Sequence, residues 1–260
     1  AGGSSIVVER IPWQAARRHL EVGADVMQDA ALTIKAHPGL RAFAVAIAAT
    51  ALALTAAQVF LLFGAFLDIA PVQAFWHAGW VNFPRDGSLP ERLELVFTVI
   101  AGITLLWSAW SWRVPLAAAI GVTSLYLGAD NALMIHERFA DEIVGHAFAG
   151  QRLYAAIFGA LFVGGLLASW RMSAPPHRRA MLPVITALFL FAAFAAGLDA
   201  VNGAFVRLVE PASDPLWIIV RLGLMMVEET GEFLSLALFA VMACASSLML
   251  AQAGSRPDPT

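Results

Sequence analysis

The hydrophobic positions of this chain gather into six long runs, 41–68, 93–112, 116–135, 153–170, 181–205 and 216–250, with polar breaks between them. A bilayer core needs about 20 mostly apolar residues wound as a helix. Each run therefore predicts one transmembrane helix. The last run is longer than one crossing requires, so its first turns are expected to project from the membrane. Runs two and three are joined tightly through Ser111-Trp112-Arg113-Val114-Pro115, and Pro115 suits the first turn of a helix.

A different period precedes the first run. Trp13, Ala16, Leu20, Ala24, Met27, Ala31 and Ile34 recur at steps of three and four, with Arg17, Arg18, Glu21, Asp25 and Asp29 between them. This predicts an amphipathic helix over 12–35, stopped at Pro38-Gly39, lying along the membrane interface or, alternatively, packed on the protein's own loops. The expected fold class is an all-α integral membrane bundle with this helix as a preface. Residues 1–38 form the tail and interfacial helix, 39–252 the six-helix domain and 253–260 a C-terminal tail. Ala46, Ala49, Ala53 and Ala57 in the first span, and Ala160 and Gly164 in the fourth, predict close helix packing. The aromatics of segment 71–80 predict an interfacial belt.

Composition agrees. The chain is 60% hydrophobic and 13% charged, against about 25% charged for a soluble domain. A net charge of −3 without a basic run excludes nucleic acid as a partner. The single cysteine, Cys244, forms no intrachain disulfide and no cysteine-based metal site. The polar N-terminus lacks the order of a secretory signal and is expected to be a trimmed terminus. Of sixteen Lys and Arg, ten (Arg10, Arg17, Arg18, Lys35, Arg41, Arg113, Arg171, Arg178, Arg179, Arg256) fall on one side of the predicted membrane. That side is expected to be cytoplasmic, with both termini.

Ionisable groups at membrane depth cost several kcal/mol unless paired, so each asks for a reason. Asp130 and Glu137 lie seven apart at the end of the third helix, on one face if the helix continues, with His136 rotated by about 100°. The fifth helix carries Asp199 and Asn202. The sixth carries Glu228, Glu229 and Glu232, with Arg221 two turns earlier and Ser235 one turn later. At about 1.5 Å per residue these positions reach one height, in the outer half of the membrane. So many carboxylates in one apolar slab need a cation among them or protons on several. Carboxylate-plus-histidine sets from neighbouring helices hold iron or manganese in bundles. The expected ligands are His136, Glu137, Asp199, Glu229 and Glu232, around a divalent Fe, Mn or Zn, with Asp130 and Glu228 as catalytic groups. Glu91, Glu94, Asp141, Glu142 and Glu210, and the loop histidines His77 and His146, are expected to be solvated.

Asp130-Asn-Ala-Leu-Met-Ile-His136-Glu137 and Glu228-Glu229-Thr-Gly-Glu232-Phe-Leu resemble the paired motifs of a family of uncharacterised bacterial polytopic membrane proteins. The resemblance implies that the two segments belong together and that the location is the bacterial inner membrane. Asn131 departs from the family pattern, where that position is often acidic, and this lowers the ligand count. Three functions follow. The first is a metal-dependent enzyme acting on a lipid-like or quinone-like substrate. The second is an accessory subunit of a larger membrane complex, and the third a proton- or cation-coupled carrier. The lipid bilayer, and in the second case other membrane subunits, are the expected partners. No span holds a lysine, which excludes a retinal Schiff base.

Overall fold

In hydrocarbon every backbone polar group must find its partner inside the protein, and a helix does this within one segment. The computed structural model describes residues 13–67, 88–145, 147–198, 201 and 215–254, and these are helices and short turns with no strand among them. In chain order they are α1 (Trp13–Ala36), α2 (Pro38–Phe66), α3 (Leu89–Trp112), α4 (Pro115–Leu133) and the single turn α5 (Ile135–Arg138). A π-helical turn (Phe139–Val144) leads to α6 (Ala147–Met172), α7 (Pro175–Ala192) with a π-helical continuation (Ala193–Leu198), and α8 (Pro215–Gly254). Six helices are long and apolar enough to cross a membrane: Pro38–Leu61, Leu89–Trp112, Pro115–Leu133, Ala149–Met172, Pro175–Leu198 and Gly223–Gly254. The protein is an all-α, multi-pass membrane bundle, as its hydropathy predicts. Segment 71–80 lies outside the described residues.

α8 is the axis of the bundle. Within its apolar window 67% of residues are buried, against 17% for α6, which packs at the periphery. Phe233, Phe239 and Leu250 of α8 meet Leu105 of α3, Ile120 of α4 and Met181 and Val184 of α7 in one continuous core. Ser108 Oγ of α3 donates to Ser247 Oγ of α8 at 2.6 Å, and Ser124 Oγ of α4 donates to the Thr98 carbonyl at 2.7 Å. Such hydroxyl pairs bind helices where no water competes.

The start and stop signals act locally. Ser88 caps α3 by accepting the Glu91 backbone N–H at 3.5 Å, and Pro90 occupies its first turn. α3 ends at Arg113, which is left-handed (φ 52), and Pro115 opens α4 at once. This tight hairpin lets α3 and α4 press together on glycine. A Cβ added to Gly121 would lie 3.1 Å from the Gly102 carbonyl oxygen and 3.0 Å from Leu106 Cγ.

Three expectations change. The third span ends at Leu133, two residues early, because Met134 turns left-handed (φ 51). Only the end of the predicted stripe of α1, Ile34, packs on the bundle core, and the side chains of Trp13, Ala16 and Leu20 lie outside the described residues. Ala24, Met27 and Ala31 are exposed, while Val26, Ala30 and Thr33 are buried against the bundle. The open stripe is the one that an interfacial position requires. The small residues of the outer helices do not pack internally either. Ala46, Ala49 and Ala53 are exposed, and Gly164 has nothing near it, because Ile47, Ala51, Leu54 and Gln58 form the inward face of α2.

These contacts predict opposite outcomes at two glycines. Gly121→Val should destabilise the detergent-solubilised protein by about 1–3 kcal/mol through overpacking at the α3–α4 contact. Gly164→Ala should stay within about 0.5 kcal/mol of the parent. Thermal unfolding checks both, and equal effects would contradict the packing described.

Candidate functional site

Two polar clusters meet at one end of the bundle. The first is built on the last turn of α4. Tyr126 and Asp130 are four apart and share a face. Past Leu133 the left-handed Met134, a conformation that costs a non-glycine residue roughly 1–2 kcal/mol, bends the chain back. Its N–H bonds to the Asp130 carbonyl. Asp130 holds the returning chain with its side chain. Oδ1 accepts the His136 backbone N–H at 3.0 Å, and Oδ2 lies 3.2 Å from His136 Nδ1. Tyr154 Oη, from α6, donates to the same carboxylate at 2.6 Å, and the Tyr126 and Tyr154 hydroxyls are hydrogen-bonded to each other. Phe158 packs on both tyrosine rings, with centroids 4.3 Å from Tyr154 and 5.0 Å from Tyr126, and Phe139 lies 5.5 Å from Tyr154.

The result is an oriented imidazole. In the neutral ring the nitrogen facing a carboxylate carries the proton, so Nδ1–H points at Asp130 and Nε2 is left to accept. Glu137 Oε1 lies 3.9 Å from Nε2. The hydrogen bond that the ring donates to Asp130 raises the His136 pKa above the ordinary 6.5. Burial opposes this, and the charges of Asp130 and Glu137 add to it.

The second cluster joins α3 and α8. The Phe97 and Phe233 rings pack at a tilt of 46° with centroids 5.7 Å apart. Glu94 sits one turn from Phe97 and Glu229 one turn from Phe233, so this contact brings the two carboxyls into electrostatic reach. Glu94 is buried, and Asn131 Nδ2 of α4 donates to its Oε2 at 3.5 Å. Asp130 and Asn131 are neighbours rotated by about 100°. One therefore faces the histidine cluster and the other the glutamate cluster.

The predicted residues distribute as follows. Asp130 and His136 are directly paired, and Glu137, nearly half exposed, flanks them. Asp130 and Glu137 do not share a helical face, because the helix breaks between them. Glu229 faces Glu94, and Glu228 and Glu232 are half-buried on α8. Ser235 donates to the carbonyls of its own helix, at Gly231 and Glu232, and so does not extend the acidic stripe. Asp199, Asn202, His77, His146, Glu210 and the Arg221 side chain lie outside the described residues. Asp141 and Glu142 are exposed, as expected for solvated acids, but Glu94 is not: the α3–α8 contact covers it. Among the described residues no three His, Cys, Asp or Glu side chains converge on one metal-sized point. Tyr126 and Tyr154 were missed by sequence reasoning, although they are the only two tyrosines in the chain.

Fold and site together define a multi-pass helical membrane protein with a carboxylate–histidine pair where its spans end. The chain belongs to the family described as Domain of unknown function (DUF8692), whose model matches residues 42–246. No match was found among curated proteins or among solved structures.

The raised His136 pKa has a defined sign. Its stabilising contribution is complete below pH 6.5 and is lost as pH rises through the folded-state pKa. In Asp130→Asn the partner charge is gone and burial remains. A histidine NMR titration, with the resonance assigned through His136→Gln, should then place the pKa lower than in the parent. An unmoved titration would contradict the pairing.

Proposed function

We propose that this protein is a membrane-embedded enzyme that performs acid–base chemistry on the head of a lipid-like or quinone-like substrate. The Asp130–His136 pair carries this reading. Asp130 positions the imidazole through Nδ1, and Tyr154 and the His136 backbone hold Asp130 in turn. An oriented Nε2 can take a proton from a water or substrate hydroxyl as its oxygen attacks a headgroup ester, and return it to the oxygen that leaves. The ring is about one-third exposed and lies just beyond the last spanning residue of α4. An amphiphile's polar head sits at that level while its chain stays in hydrocarbon.

With a divalent Fe, Mn or Zn on the Nε2 side, Nε2 would be its ligand and Glu228 would take the proton in its place. Two ligand atoms each about 2.0–2.2 Å from one ion lie no more than about 4.4 Å apart. Nε2 of His136 and Oε1 of Glu137 satisfy that limit. A carboxylate behind the imidazole, as Asp130 stands, is the usual support of a metal-bound histidine. The metal would supply a Lewis acid for the substrate oxygen. Glu232 and Asp199 are the proposed additional carboxylates, while Glu229 stays with Glu94 in the neighbouring cluster. Ten of sixteen basic residues on one side support placing both termini in the cytoplasm of a bacterial cell, with the site in the outer half of the inner membrane. A second reading, an accessory subunit of a membrane complex, is favoured by the open face of α6, where Gly159, Gly164 and Gly165 meet nothing.

The test uses purified protein in nanodiscs of mixed phospholipid in water, with a parallel sample holding a short-chain quinol and ferricyanide as electron acceptor, products read by mass spectrometry and metal by elemental analysis. The parent should convert one component. Asp130→Asn and His136→Gln should lower the rate by about 10²–10⁴, and His136→Gln should lower metal content. No conversion and no metal in the parent, with stoichiometric copurification of other membrane proteins, would replace the enzyme by the subunit.

A further inference from the structure

The opposite end of the bundle holds an unrelated site. There α1, α7 and α8 border an open cavity of about 530 Å³ lined by Asp29, Thr33, Pro176, Arg179, Met249 and Gln252, among others. Small-molecule sites occupy roughly 300–1,000 Å³. The cavity lies at the membrane boundary, since one span begins at Pro175 and another ends at Gly254.

Its chemistry is bipolar. Arg179 Nη2 contacts Asp29 Oδ2 at 3.0 Å, and both side chains are about half exposed. The neighbouring arginine has another task. Arg178 Nε donates to the Ser173 carbonyl at 2.7 Å and its Nη2 to the Arg171 carbonyl at 3.0 Å, with the guanidinium over Trp170. Arg178 thus closes the end of α6, and Arg179 is the guanidinium presented to the cavity. α7 begins beside it, at Ala174-Pro175-Pro176, with no side chain capping its first turn. Pro175 and Pro176 carry no N–H there, so the Arg179 guanidinium is the donor that an anion in the cavity would meet. One wall therefore suits a phosphate, and Asp29 beside it suits an ammonium. Leu32, Ala180 and Met249 supply apolar wall for the glycerol and first acyl carbons.

We propose that this cavity binds a zwitterionic phospholipid bearing a primary ammonium headgroup. The phosphate sits on Arg179, and the ammonium sits on Asp29. This site is independent of the proposed enzyme chemistry at the other end. A purely anionic lipid fits less well, because it leaves the Asp29 carboxylate facing negative charge without a partner, and specificity rests on that repulsion. Thr33, which donates to the Asp29 carbonyl at 2.9 Å, and the buried Val26 and Ala30 hold α1 in place for it.

Native mass spectrometry of protein released from nanodiscs of equimolar phosphatidylethanolamine and phosphatidylglycerol tests this. The parent should retain phosphatidylethanolamine in preference. Arg179→Gln should reduce retention of both lipids by about tenfold, or about 1.4 kcal/mol. Arg179→Lys should keep binding, and Asp29→Asn should erase the preference while retaining phosphate-bearing lipid. Thermal unfolding of each variant confirms that it is folded. Equal retention by the parent, or an Arg179→Gln variant that is folded and binds unchanged, would overturn the proposal. Release of the lipid by soluble glycerophosphoethanolamine at equal concentration would also overturn it, since the acyl chain would then contribute nothing.

Discussion

One carboxylate, that of Asp130, receives three donors: the His136 backbone N–H, the His136 ring and the Tyr154 hydroxyl. A charge near the edge of hydrocarbon is tolerated only when it is paired and hydrogen-bonded. Here the partners come from two different segments. The carboxylate therefore does structural work as well, because it ties the end of α4 to α5 and to α6. The left-handed turn at Met134 is unfavourable by itself, and its closure by Asp130 offsets that cost. Without the carboxylate nothing in the local sequence would keep His136 beside α4.

This arrangement joins a rigid part of the bundle to a looser one. α3, α4 and α8 are locked by glycine contacts, the Phe97–Phe233 ring contact and hydroxyl bridges. α6 is mostly uncovered, and near its start it is held by Tyr154, Phe158 and the close approach of Gly150 to Ala140. The rigid part keeps Asp130 and Glu94 in register, since both depend on the α3–α4 contact.

Much of the fold could be read from sequence because the bilayer imposes length and apolarity directly. All six spans and the turn at Arg113–Pro115 follow from that constraint. Helix faces were harder to read. In α1 the apolar stripe at Met27 and Ala31 points outward, since small Ala30 and β-branched Val26 allow the closer approach to the bundle. The small-residue stripes failed for a related reason: lipid and protein neighbours are equally apolar, so composition does not separate them. At the site, Asp130 and His136 were found by their spacing, but their pairing depends on a break that no glycine or proline marks. Tyr126 was visible as the residue four before Asp130. Tyr154 was not, because a contact between α4 and α6 leaves no trace in either segment alone. Glu94 looked solvated because it is near a helix start, and only the α3–α8 contact buries it.

The dependence on the shared carboxylate can be measured as a coupling. A double-mutant cycle of Asp130→Asn and His136→Gln, read by thermal unfolding in one detergent at pH 6, isolates the pairwise energy from the separate costs of each change. A coupling of about 0.5–3 kcal/mol is expected for side chains in direct hydrogen-bonded contact. Strictly additive effects would contradict the account, because Asp130 would then hold neither the imidazole nor the turn that delivers it.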